Sequence, residues 1–67
     1  MGGVYLGPID RIDTARRIIV VPMGEVVIPE RISLDPFKPG MRVTLVYDEE
    51  RSGRRVATEL RLEPSRA

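Results

Sequence analysis

The chain has no cysteine, no histidine and no tryptophan. Without cysteine, no disulfide can compensate for a small core. Without cysteine and histidine, thiolate and imidazole metal sites are excluded, as are catalytic triads that need a histidine base. Asparagine and glutamine are missing too, and Lys38 stands alone beside ten arginines. Loss of thermolabile amides is one thermophile trait, but an arginine excess is equally what a GC-rich genome writes, and we favour that cause. The only aromatics are Tyr5, Phe37 and Tyr47. No apolar run approaches the roughly 20 residues of a membrane span. Met1 to Leu6 has neither a basic start nor a long apolar centre, so it does not read as an export signal. Leu6 also stands where a myristoylation signal wants Ser or Thr. The expected compartment is therefore the cytoplasm as the chain is written, or the periplasm if an export leader has been removed.

What is present is 67 residues, 42% of them hydrophobic and 31% charged, with a net charge of +1. That is one small domain, residues 1–67, able to bury about 60% of the surface its unfolded form exposes. A balanced charge excludes a polybasic tail but leaves room for a local basic patch.

The pattern reads as five short strands. The first covers about Val4 to Asp13, behind an N-terminal extension of residues 1–6 that overlaps it. Gly7-Pro8 interrupts this strand, and Ile9 and Ile12 are three apart rather than two, which signals a bulge or bend. Arg17 to Val21 carries four consecutive β-branched residues, a strong strand signal. Pro22 to Glu25 forms a turn, and Glu25 to Ile28 is the third strand, antiparallel to the second. Pro29 to Phe37 reads as one helical turn, since Pro suits a first helical position and Pro36 stops anything longer. Lys38-Pro39-Gly40 is a turn. Met41 to Asp48 alternates, with Val43, Leu45 and Tyr47 on one face. A loop with Gly53 in the left-handed region leads to the fifth strand, Arg54 to Glu63. Its expected inward residues are Val56, Thr58, Leu60 and Leu62, and Arg55, Ala57, Glu59 and Arg61 are expected to face out. Residues 64–67 are expected to fray. The fold class is thus all-β: a small five-stranded, OB-like antiparallel barrel with one short helical turn between strands three and four. An SH3-like barrel is the alternative, and the position of the helical turn favours the OB-like arrangement.

Three stretches carry a resemblance. They are Gly7-Pro8-Ile9-Asp10-Arg11-Ile12-Asp13 with Arg17 to Val21, Ile28-Pro29 with Phe37 to Tyr47, and Gly53 to Leu60. Together they resemble a family of small bacterial barrels of unknown function, common in alphaproteobacteria, over about Gly7 to Pro64. The resemblance implies an OB-like fold and a bacterial source. Its motifs are turn glycines, a proline and strand alternation, so it implies no catalytic residue. The layout is also similar to small periplasmic copper-binding barrels, but those use His, Met and Trp ligands, and His and Trp are absent here. No cofactor or metal is expected.

Two surface features invite a function. If Ile19 and Val21 face the core, as the resemblance implies, then Ile18 and Val20 face out. Val27 joins them, and Val46 breaks the polar face of the fourth strand. Such a stripe marks an interface, and a homodimer burying it on both copies is the simplest form. Second, Arg11, Arg16 and Arg17 flank the first hairpin, and Arg51, Arg54 and Arg55 flank the last. In OB folds these loops border a nucleic-acid groove, so six guanidiniums could meet phosphates. Asp10, Asp13, Asp48, Glu49 and Glu50 share those segments and cancel most of the field, and few aromatics remain for base stacking. Acid pairs at Asp10/Asp13 and Glu49/Glu50 lack the spacing of a metal loop or a glycosidase, and turn formation explains Asp13. Met23 and Met41 are two soft ligands without a third. Ser33, Ser52 and Ser65 have no base beside them. The expectation is a non-enzymatic interaction module whose partner is protein, most simply itself. The alternative is oligonucleotide or polyanion binding through the arginine-bearing loops.

Overall fold

The computed structural model describes residues 1–63, so the frayed tail expected at 64–67 lies outside the described residues. It is all-β. Six strands form one mixed sheet: β1 (Gly2–Pro8), β2 (Arg11–Asp13), β3 (Ile18–Val21), β4 (Gly24–Val27), β5 (Arg42–Glu49) and β6 (Arg55–Leu62), in the order β1-β5-β6-β4-β3-β2. Every neighbouring pair is antiparallel except β4 and β6, which run parallel through Val26/Arg55 and Val27/Val56.

Six strands replace the expected five because the first one breaks. Pairing with β5 runs on through Gly7, at φ +155°, to Pro8, which has no N–H to give, and the strand ends there. Beyond the break, Ile9 donates to the Met41 carbonyl on one side (2.9 Å), and Asp10 donates to Val20 on the other (2.9 Å). The chain thus changes neighbours from β5 to β3 within two residues. The stretch 1–6, expected as an extension, is mostly β1, paired with β5 from Gly2/Asp48 to Pro8/Arg42.

The ladder does not close. β1 and β2 are its two ends, so the expected barrel is not shown. Nor is there a helical turn: no helix occurs among the described residues. Pro29 to Phe37 instead makes two separate turns, Ile32 N–H to Pro29 O (3.0 Å) and Phe37 N–H to Leu34 O (3.0 Å). A helix needs consecutive bonds of this kind. Here the Asp35 N–H bonds the Ser33 hydroxyl (3.2 Å), and Pro36 biases Asp35 away from helical angles. The expected turn glycines do take positive φ: Gly24 127°, Gly40 90° and Gly53 89°.

The core is wholly apolar. Ile9, Ile19, Val21, Val26, Ile28, Leu34, Val43, Leu45 and Ala57 form one buried cluster, and Tyr5, Ile12, Met23, Ile32, Phe37, Tyr47 and Leu60 pack against it. The alternation expected of β5 holds. That of the last strand slips, because the register jumps between Val46/Glu59 and Tyr47/Ala57, leaving Thr58 as an extra residue. A bulge of this kind reverses which face each side chain meets. Ala57 is therefore buried and Thr58 exposed, and the Thr58 hydroxyl bonds the Val46 carbonyl (3.2 Å). Val56, expected inside, is paired with the outward Val27, and Arg55 takes the inner side beside Val26.

Candidate surface site

The hairpin joining β2 and β3 shows how local sequence fixes one of the predicted arginines. The Asp13 carboxylate accepts from the Arg16 N–H (3.1 Å), and Arg17 N–H reaches Thr14 O (3.3 Å). The turn closes on Arg17 in the left-handed region, φ 54°. A β-turn closed by one left-handed residue is a common hairpin connection. This twist sends the Arg17 side chain back over the Pro29 turn. Its Nε donates to Ile28 O (3.0 Å), and its Nη2 donates to Pro29 O (2.9 Å) and to Ile32 O. Arg17 is a clamp on three carbonyls, not a group offered to a ligand.

Arg55 is likewise committed inward. Its guanidinium carbon sits 6.0 Å from the centre of the Tyr47 ring, and Nη1 donates to Met23 O (3.3 Å). Its Nε is buried with no hydrogen-bond partner. Arg54 is exposed and 3.8 Å from Glu50. Arg11, Arg16 and Arg51 are exposed, and among the described residues they make no ion pair. The six arginines therefore do not form one cationic face. Arg54 and Arg55 border a hollow of about 450 Å³ with Glu25, Val27, Ser52 and Gly53, and Glu25 offsets their charge there.

The predicted apolar stripe is more covered than expected. Ile18 lies on the outer face opposite Val27, outside the core cluster, yet only 8% of it is exposed. Val20, Val27 and Val46 are half-buried. The large exposed apolar side chains lie elsewhere: Val4, 60% exposed, and Leu6, 62%, on β1, with Met1 before it and, on β6, Leu62, which was expected to face inward. The register sets Val4 opposite Val46 and Leu6 opposite Thr44, so one outer patch runs from β1 onto β5. On β6 it is rimmed by Glu59 and Arg61, which pair with each other. Of the four predicted interface residues, Val46 alone belongs to this patch. Val4 and Leu6 were missed because residues 1–6 were read as an extension.

The inner side of β1 explains why that strand holds its shape. Tyr47 faces Gly3 across the ladder, and a Cβ on Gly3 would lie 2.6 Å from the Tyr47 hydroxyl. Gly7 lies under the other tyrosine, where a Cβ would lie 2.7 Å from the Tyr5 hydroxyl. Each glycine leaves room for a ring. The Tyr5 hydroxyl donates to Pro8 O at 2.6 Å. Burial pushes this hydroxyl above the ordinary tyrosine value, Asp10 adds to the rise, and Arg42 opposes it.

Among the described residues no group of three or more acidic side chains is placed to hold a metal ion. Among the same residues no helix is long and apolar enough to cross a membrane. No protein-family model, no curated protein and no solved structure matches the chain.

Proposed function

We propose that this chain is a non-enzymatic, OB-like β module that works by binding protein, most simply another copy of itself, through the outer face of its sheet. The observation that carries the reading is the patch of Val4, Leu6 and Val46. Two of its side chains are more than half exposed, outside the buried core cluster. A contiguous apolar surface with a charged rim is the usual form of a protein-binding face.

The OB-like part of the proposal rests on topology. The parallel β4/β6 pair, and a first strand that bends at Ile9-Asp10 to serve both ends of the ladder, are consistent with a partly open Greek-key barrel. The likeness to small bacterial barrels belongs to the same proposal.

Sedimentation velocity over a range of concentration tests the binding reading. Association is expected, weakened by Val46→Lys. A strict monomer whose behaviour Val46→Lys leaves unchanged overturns self-binding through this face.

The second reading, polyanion binding, draws on the exposed Arg11, Arg16 and Arg51. Counterion release predicts that affinity for single-stranded DNA falls steeply with salt and drops in Arg11→Ala or Arg16→Ala. Absence of binding at low salt removes it. Arg17→Ala is a poor test, because that side chain holds the fold together.

A further inference from the structure

We propose that two copies of this chain pair edge to edge through β1, antiparallel, about a two-fold axis at Tyr5. The inference rests on the protein-binding reading above and names its partner and geometry.

Hydrogen-bond parity identifies what β1 leaves unpaired. At its two ends, Glu49 N–H bonds Met1 O (2.7 Å) and Ile9 N–H bonds Met41 O (2.9 Å). The register between them is unbroken. In an antiparallel ladder, residues that exchange hydrogen bonds with the neighbour alternate with residues that do not. Gly3, Tyr5 and Gly7 therefore bond β5, and the N–H and C=O of Val4 and Leu6 point the other way. Among the described residues no strand lies on that side, since β1 ends the sheet.

The edge carries little of the usual protection. Exposed edges are blunted by charge, by shortness or by proline. β2, at the other end of the sheet, has three residues with Arg11 and Asp13 at its tips. β1 has seven residues, no charged side chain, and Pro8 only at its last position.

The sequence of the edge suits a second copy. Gly3-Val4-Tyr5-Leu6-Gly7 reads nearly the same in both directions. Antiparallel pairing about Tyr5 sets Gly3 against Gly7 of the second copy, Val4 against Leu6, and Tyr5 against Tyr5. Val4 and Leu6 are the residues whose backbone groups are unpaired, so each copy's Val4 exchanges two hydrogen bonds with the other's Leu6. Their side chains stand on the outer face, so the two exposed patches merge into one stripe of Val46, Val4 and Leu6 from each copy. Strand addition of this type takes its affinity from main-chain bonds and its specificity from alternate side chains. No like charges meet along the seam.

The test uses the full chain in two ways. The sequence has no cysteine, so an introduced one is unique. Val4→Cys mixed with Leu6→Cys should form a mixed disulfide under mild oxidation much faster than either variant alone. The proposed register brings positions 4 and 6 within bridging distance and holds 4 from 4 and 6 from 6 beyond it. Separately, N-methylation of the Leu6 amide in a chemically synthesised chain should abolish association while leaving the thermal melt near that of the parent. The same change at Tyr5 should lower the melt, because that amide bonds β5. Association that persists through Leu6 N-methylation, or cross-links with no preference for the 4–6 pair, overturns the pairing and leaves the protein-binding reading standing. A strict monomer at all concentrations overturns both.

Discussion

Replacing Arg17 with alanine removes three hydrogen bonds at once. Its Nε and Nη2 hold the carbonyls of Ile28, Pro29 and Ile32, and so tie the β2–β3 hairpin to the segment that carries Ile32 and Leu34 to the core. A hydrogen bond to a charged group contributes roughly 1.5–3 kcal/mol net to stability. Arg17 is half-buried, and water can reach part of what it leaves, so a net loss of about 2–4 kcal/mol is the working figure. For a domain this size that lowers the melting midpoint by roughly 10–25 °C, a large share of its stability. Arg17 also sits at φ 54°, where glycine is at ease and alanine is not. Arg17→Gly should therefore be more stable than Arg17→Ala by about 1 kcal/mol, although it deletes the same side-chain bonds. Arg17→Lys should recover less than half of the loss, because one ammonium cannot span carbonyls that a planar fork reaches together. Chemical denaturation of the four proteins, followed by far-ultraviolet circular dichroism, measures all three differences. An Arg17→Ala cost within about 0.5 kcal/mol of zero would refute the clamp, since that is the range of an unconstrained surface change.

The second inward arginine should behave in the opposite way. Arg55 has a buried, unpartnered Nε, so Arg55→Met is expected to cost less than about 1 kcal/mol or to stabilise, whereas a loss above about 2 kcal/mol would mean its ring contact dominates. Tyr5 gives a pH prediction. Its folded pKa is raised, so its contribution is complete below the unfolded value near about pH 10 and is lost as pH climbs through the folded one. The stability gap between the parent and Tyr5→Phe should accordingly narrow as pH rises above about 10, and a constant gap counts against the hydroxyl as its source. Gly3→Ala would put a Cβ 2.8 Å from Tyr47 Cζ and should cost roughly 1–3 kcal/mol. Most of that penalty should vanish in a Tyr47→Leu background, and a penalty that persists there would place the strain in the backbone instead.

Much of the sheet was legible because strand signals are local. The β-branched run at Ile18 to Val21 and the alternation at Val43 to Tyr47 each sit in one element, with period two, and both appear where expected. The break near Gly7-Pro8 was legible for the same reason. Non-local geometry was not. Nothing within Arg55 to Leu62 announces the bulge at Thr58, because the slip arises from pairing with Val46 and Tyr47 on another strand. The destination of Arg17 was hidden too. A guanidinium in a polar hairpin looks like a surface charge until tertiary folding brings a turn twelve residues later beneath it. β1 had a readable signal that the glycines obscured: Val4 and Leu6 alternate with Gly3, Tyr5 and Gly7, and the glycines make sense only once the two tyrosine rings lie over them.

The contrast between the two ends of the sheet links these observations. β2 is short and tipped with charge, and its hairpin is locked by Asp13 and Arg17, so it offers little to an incoming strand. β1 is long and uncharged, and it is held straight from inside by Tyr5 and Tyr47 packing over Gly7 and Gly3. Rings on the inner face require small residues at positions 3 and 7. Alternation then leaves Val4 and Leu6 as the side chains outside, on the same residues whose backbone groups lack partners. One local requirement, room for two rings, thus produces both the apolar patch and the near-symmetry of the edge. A change that disturbs the rings should therefore weaken association even when it touches no residue of the seam's outer face.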